Sequence, residues 1–283
     1  YAPAAQARTP AIVGTGTLLT SANSLNALRN GTVSLIGGPL GGILLAACGF
    51  RVLVCADSLS YLVAAGAAFG TSKPRDERAG EASPLSDLVS GARVLINQAT
   101  ARALFPVTVI FLGANASLSA LLIPLGIEHL GGTAHTGFLM SFLGAGFLLG
   151  APLIRALLDR GQPRTLLAVT LTVTAAGYFL LFTSSSLSTA LPAALVIGLS
   201  GSMALVIPQI TLQRVISGAA LGRVTALFLT GEAAATLAGA VAGPFLAQTA
   251  GLAAAAATAS VLTLGAAALA RATVPRVDRA AQR

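Results

Sequence analysis

Charge is scarce in this sequence. Asp, Glu, Lys and Arg make up 9% of its 283 residues, against about 25% in an ordinary soluble domain. A chain so poor in charge cannot clothe a folded surface in wetted groups, which excludes a soluble globular protein. Lysine occurs once, at Lys73, and tryptophan not at all. The only cysteines are Cys48 and Cys55 and the only histidines are His129 and His135, too few for a disulfide framework or a metal-ligand spacing. Both cysteines lie in or beside apolar runs and read as small packing residues. The histidines share one short connection, 126–136, and read as solvated. The net charge of +8 is no nucleic-acid signature, because the basic residues are spread over short loops without interleaved aromatics.

Apolar residues, at 55%, are what the chain has in excess. They fall into runs of about 20 residues, the length that a hydrocarbon core of ~30 Å demands. Eight spans are expected, at 19–48, 52–70, 103–125, 137–158, 165–184, 188–210, 222–248 and 252–271. The fold class expected is all-α, a polytopic membrane helix bundle. Segments 1–18, 71–102, 155–164, 211–223 and 271–283 hold fifteen of the seventeen basic residues, and the alternate loops hold only Arg51. Positive charge marks the cytoplasmic side, so both ends are expected to be cytoplasmic. Heavy use of Ala and Arg with one Lys suggests a GC-rich bacterial genome, hence a bacterial inner or plasma membrane.

The longest connection, 71–102, opens with the charged linker "SKPRDERAGEA" and continues "SPLSDLVSGARVLINQ". Ser83 suits an N-cap, Pro84 the first helical position and Asp87 the first turn. Leu85, Leu88, Val89, Leu95 and Ile96 share one helical face. An amphipathic helix along the membrane interface is expected, with a helix packed only on the protein as the alternative.

"GGPLGGILLAACG", 37–49, places five glycines and a proline inside an apolar run. In water Gly costs roughly 1 kcal/mol and Pro roughly 3 against Ala, but spanning helices tolerate both, and small residues let backbones approach. A shift of 202 residues lays this span over the seventh. Gly37, Gly41, Leu44 and Gly49 then meet Gly239, Gly243, Leu246 and Gly251. The offset is six spans with conserved orientation, a parallel repeat of two six-helix halves. Eight spans are then the last two of one half (1–70), a linker (71–102), a complete second half (103–271) and a tail (272–283). Four of twelve helices are expected upstream, and the lack of Met or a signal-peptide layout at Tyr1 fits an internal fragment.

The opening stretch to position 69 resembles the fourth-to-sixth helix region of the major facilitator superfamily. The nearest likeness is to its bacterial drug and siderophore exporters, similar to enterobactin and macrolide exporters. Pro3 with Arg8 and Pro10, Ala22-Asn23, Gly38-Pro39 with Gly41-Gly42, and "ADSLSYL" carry it; "SGARVLINQATARALF" and "LQRVISGAALGRV" extend it. The resemblance implies that Gly37, Gly38, Pro39, Gly41 and Gly42 form the exporters' antiporter motif, a bendable small-residue face against the opposite half. Pro39 also frees a carbonyl and favours a bend. Asp57 matches the family's "DA-x-SF" position, where it anchors a helix end or takes part in coupling. "RALLDRGQPR" resembles the second-half copy of the loop signature through Asp159, Arg160 and Arg164. It departs from the pattern at Arg155, where a Gly is usual, and at Gly161, which follows Arg160 directly.

Charges inside spans are expensive and face a cavity or a partner. Arg29 and Glu232 lie mid-depth at nearly equivalent places under the 202 shift, so with Asp57 they are the proton-coupling candidates; structural pairing with absent helices competes. Asn115 and Ser119 share a face of the third span, and Ser202, Met203 and Gln209 lie in the sixth. By resemblance these helices line the central cavity, although helix-to-helix hydrogen bonding competes at each position.

The function expected is a secondary exporter, not an enzyme. It would move a small, largely apolar antibiotic, drug or siderophore outward against protons, by alternating access, as a monomer without cofactors. Its partners would be the substrate, protons and the bilayer. Glu232 is the only mid-span carboxylate available for coupling. An importer of the same fold and an inactive fragment are the alternatives. A membrane-embedded enzyme is disfavoured because no His, Asp or Glu cluster and no nucleotide loop is present.

Overall fold

The computed structural model describes residues 84–158, 161–216 and 219–276, together with 54–63 and the isolated positions 25, 52 and 66. Among the described residues every regular element is helical. In chain order, α1 is Pro84–Asn97, α2 Ala99–Ser119, α3 Thr133–Leu158, α4 Pro163–Thr183, α5 Leu187–Val215, α6 Ala219–Ala250 and α7 Leu252–Thr273. The six helices α2 to α7 stand where the last six spans are expected from sequence, with ends displaced by no more than a few residues. Among the described residues five helices are long and apolar enough to cross a membrane, and α3 carries a shorter apolar core at His135–Gly150. Of the two earlier spans, 54–63 is helical and exposed, while 19–48 lies outside the described residues except for Leu25.

Local chemistry sets the boundaries. Proline opens both α1 and α4, where its missing N–H belongs to the unpaired first turn in any case. Between α6 and α7 the chain reverses at Gly251 with φ +91°, a backbone region that a side chain disfavours. Beyond α2 the chain runs through Leu122–Pro124 into a π-helical turn, Leu125–His129, which packs against the start of α3. Gly126 sits directly on Thr136 there.

The helices of the bundle pack in the sequence α3, α5, α4, α7, α2, α6, each on the next. Exchanging α2 with α5, α3 with α6 and α4 with α7 maps this set of pairs onto itself. The two closest crossings repeat the relation residue by residue. Gly146 and Gly150 of α3 lie on Gly198 and Ser202 of α5, and Gly239 and Gly243 of α6 lie on Gly113 and Ser117 of α2. In both, a small-xxx-small ridge meets another, so that backbones touch where side chains would stand. The α2–α6 pair runs away from the end bearing Arg164, Arg223 and Arg271, and the α3–α5 pair runs toward it. The six helices are therefore two triplets of inverted topology.

Hydrogen bonds and rings fasten the triplets together. Thr174 of α4 and Ser200 of α5 are 2.7 Å apart and buried, and Phe105 of α2 meets Phe228 of α6 edge-to-face, centroids 5.2 Å apart. On α7, Ala255, Ala256, Ala259, Ala266, Ala267 and Ala270 are buried, which lets it sit close to α4 and α2. The segment expected to be amphipathic is helical and packs on the protein with part of its apolar face uncovered. α1 packs on α6 and α2, with Gly91 against the backbone of Arg223, and it leaves Val89 and Ile96 exposed. Ser83 lies outside the described residues.

Candidate functional site

Pro208 stands inside α5, where it removes the N–H that would bond the carbonyl of Ala204 and loosens that turn. Beside it, α5, α2 and α6 part to leave a cavity of about 190 Å³. Thr108 and Leu112 of α2 form one wall; Pro208, Gln209 and Gln213 of α5 form the second; Thr225, Phe228 and Glu232 of α6 form the third. Leu221 lines the cavity at the basic end of α6, and Glu232 lies eleven residues further on, about 16 Å deeper along the helix. The cavity thus runs from the basic end toward mid-depth.

Its polar groups are unequal. The Thr108 hydroxyl is within reach of the carbonyls of Leu104 and Phe105, at 3.2 and 3.0 Å, so its proton is held by its own helix. Gln213 is buried and bonded within the protein. Gln209 and Glu232 are half-buried on the lining and make no hydrogen bond or ion pair among the described residues. A carboxyl group and an amide therefore face one mixed polar and apolar space from two helices.

Of the residues singled out by sequence, Glu232 and Gln209 are brought to this cavity. The others are placed elsewhere. Asn115 turns to α4, where it accepts a hydrogen bond from the Tyr178 hydroxyl at 2.7 Å. Ser119 is exposed at the end of α2. Ser202 is buried, donates to the Leu199 carbonyl at 2.8 Å and seats against Gly150; Met203 is in the core. Asp57 sits in the exposed stretch 54–63, its carbonyl accepting from Ser60 at 2.7 Å. Arg164 is half-buried in the first turn of α4. Arg29, Gly37, Gly38, Pro39, Gly41, Gly42, Cys48, Asp159 and Arg160 lie outside the described residues. Thr108, Gln213, Thr225 and Phe228 were not foreseen. The signal for two of them was available, since Leu221, Thr225, Phe228 and Glu232 recur at helical spacing on one face of α6.

The profile of the Major Facilitator Superfamily matches the chain over residues 1–187 and again over 104–283. The chain belongs to the major facilitator superfamily. It is a multi-pass membrane transporter for small molecules. No curated protein matches this superfamily member.

Proposed function

We propose that this superfamily member is a proton-coupled exporter of a small, largely apolar compound, such as an antibiotic, drug or siderophore. The cavity would hold the substrate, and alternating access would come from two halves rocking about it. Glu232 would take a proton from one side of the membrane and release it to the other, and Gln209 would contact the substrate. One observation carries this reading. Glu232 is the one charged side chain on the cavity lining, and it has no partner among the described residues. Unpaired charge inside a bundle is expensive, and a carboxyl that is protonated for part of a cycle avoids that cost. Residues 1–70 would belong to the first half, 71–102 to a linker, 103–271 to the second half and 272–283 to a tail. Both ends would be cytoplasmic in a bacterial inner membrane.

Vesicles containing the transporter, with an imposed pH gradient, test the proposal. Glu232→Gln preserves shape and removes the titrating group. Gradient-driven efflux of hydrophobic compounds is expected to fall to the rate seen without a gradient, while substrate binding survives. Gradient-driven transport at the parent's rate would make Glu232 a packing residue; gradient-driven uptake instead of efflux would make the protein an importer.

A further inference from the structure

α4 and α7, which contribute no residue to this cavity, pack together and leave a second groove of about 270 Å³. Thr165, Ala168, Val169, Thr172 and Val173 of α4 line it, with Arg271 of α7. The α4 residues recur at helical spacing, one face over two turns, about 12 Å long. The Thr172 hydroxyl is turned back onto the Ala168 carbonyl at 2.8 Å, so its proton is held by its own helix. Val169 is 54% and Val173 38% exposed, and no helix among the described residues covers them. The wall is apolar from Ala168 to Val173 and carries Thr165 and one cation, Arg271, at one end.

Arg271 is exposed in the last turn of α7 and has no hydrogen bond or ion pair among the described residues. α4 starts and α7 finishes at the same end of the bundle, so Arg271 lies beside the first turn of α4. The positive end of the α4 dipole adds to the guanidinium there. α7 has 22 residues, enough to cross the hydrocarbon core of ~30 Å, which puts Arg271 at headgroup level. Charge complementarity selects the occupant. A basic pocket between helices at that depth suits an anionic headgroup, and an apolar wall running from it into the membrane suits an acyl chain. A soluble anion would satisfy the arginine and leave the wall uncovered; a zwitterionic lipid would cover the wall and set its own cation near the arginine.

We propose that the α4–α7 groove binds one anionic phospholipid. Its phosphodiester sits on Arg271, and a chain lies along Ala168, Val169 and Val173. The site is separate from the transport cavity and does not depend on Glu232. Native mass spectrometry of the detergent-purified protein tests it, with dioleoylphosphatidylglycerol or dioleoylphosphatidylcholine added. One retained phosphatidylglycerol is expected, preferred over phosphatidylcholine by roughly fivefold, the worth of one basic residue at an anionic headgroup. Arg271→Gln should abolish the preference. Val169→Phe should reduce retention of both lipids and leave their ratio unchanged. Millimolar glycerol phosphate should not displace the lipid. The proposal is overturned if Arg271→Gln keeps the preference, if Val169→Phe retains lipid like the parent, or if glycerol phosphate competes. Both positions are exposed, and an unchanged thermal unfolding temperature confirms that each variant is folded.

Discussion

Two polar side chains in the same bundle illustrate how differently a buried group can be used. Asn115 is matched: its amide oxygen accepts from Tyr178 across the α2–α4 contact. Glu232 faces the cavity with no partner among the described residues. A matched pair contributes stability and little else, and double-mutant cycles of such bonds in membranes average about 0.6 kcal/mol. Tyr178→Phe and Asn115→Ala are therefore expected to show a coupling of about 0.6 kcal/mol in thermal unfolding and no change in transport. Coupling near zero would mean that the bond is not made in the membrane. Sequence marked Asn115 and Glu232 alike as polar residues within spans. Which of them met a partner was decided by the neighbouring helix.

At the scale of helices, the glycine spacing is a packing device. A 202-residue shift lays Gly239 and Gly243 over Gly37 and Gly41 in the sequence, and the structure sets them on Gly113 and Ser117 within their own set of helices. A Cβ on Gly239 would strike the Gly113 carbonyl, and one on Gly146 would strike the Leu195 carbonyl. Gly265 on α7 has nothing within 4 Å. Gly239→Leu and Gly146→Leu should each destabilise by about 3 kcal/mol or more, the upper range of overpacking. Gly265→Leu should be close to neutral. Unfolding temperature in detergent and the monodisperse yield measure all three. The pseudo-symmetry makes the first two losses comparable, and a loss confined to one of them would break the equivalence of the two crossings.

For the whole molecule, orientation rests on charge. With Cys48 and Cys55 replaced by Ser, a cysteine at the exposed Ser185 should react with a membrane-impermeant thiol reagent in intact cells. One at the exposed Arg276 should react only after permeabilisation. The reverse pattern would invert the topology and place the basic end of the bundle outside. Apolar side chains such as Leu237, Val241 and Phe245 stand exposed along α6, a surface that suits a hydrocarbon environment and not water.

Helix number in the last six spans, their approximate limits and their membrane character were settled by sequence alone. Hydrocarbon thickness dictates run length, and unpaired backbone is forbidden in lipid, so composition suffices for those features. Glu232 was legible for the same reason, since a charge in such a run stands out. The order of packing, the inverted triplets and the cavity were not. They depend on which small-residue ridges meet across helices, and most residues here are Ala, Leu, Gly or Val, offering many ridges of equal local merit. Only the tertiary structure decides that Gly239 finds Gly113, that Asn115 turns to Tyr178, and that Gln209 and Glu232 are left facing one space.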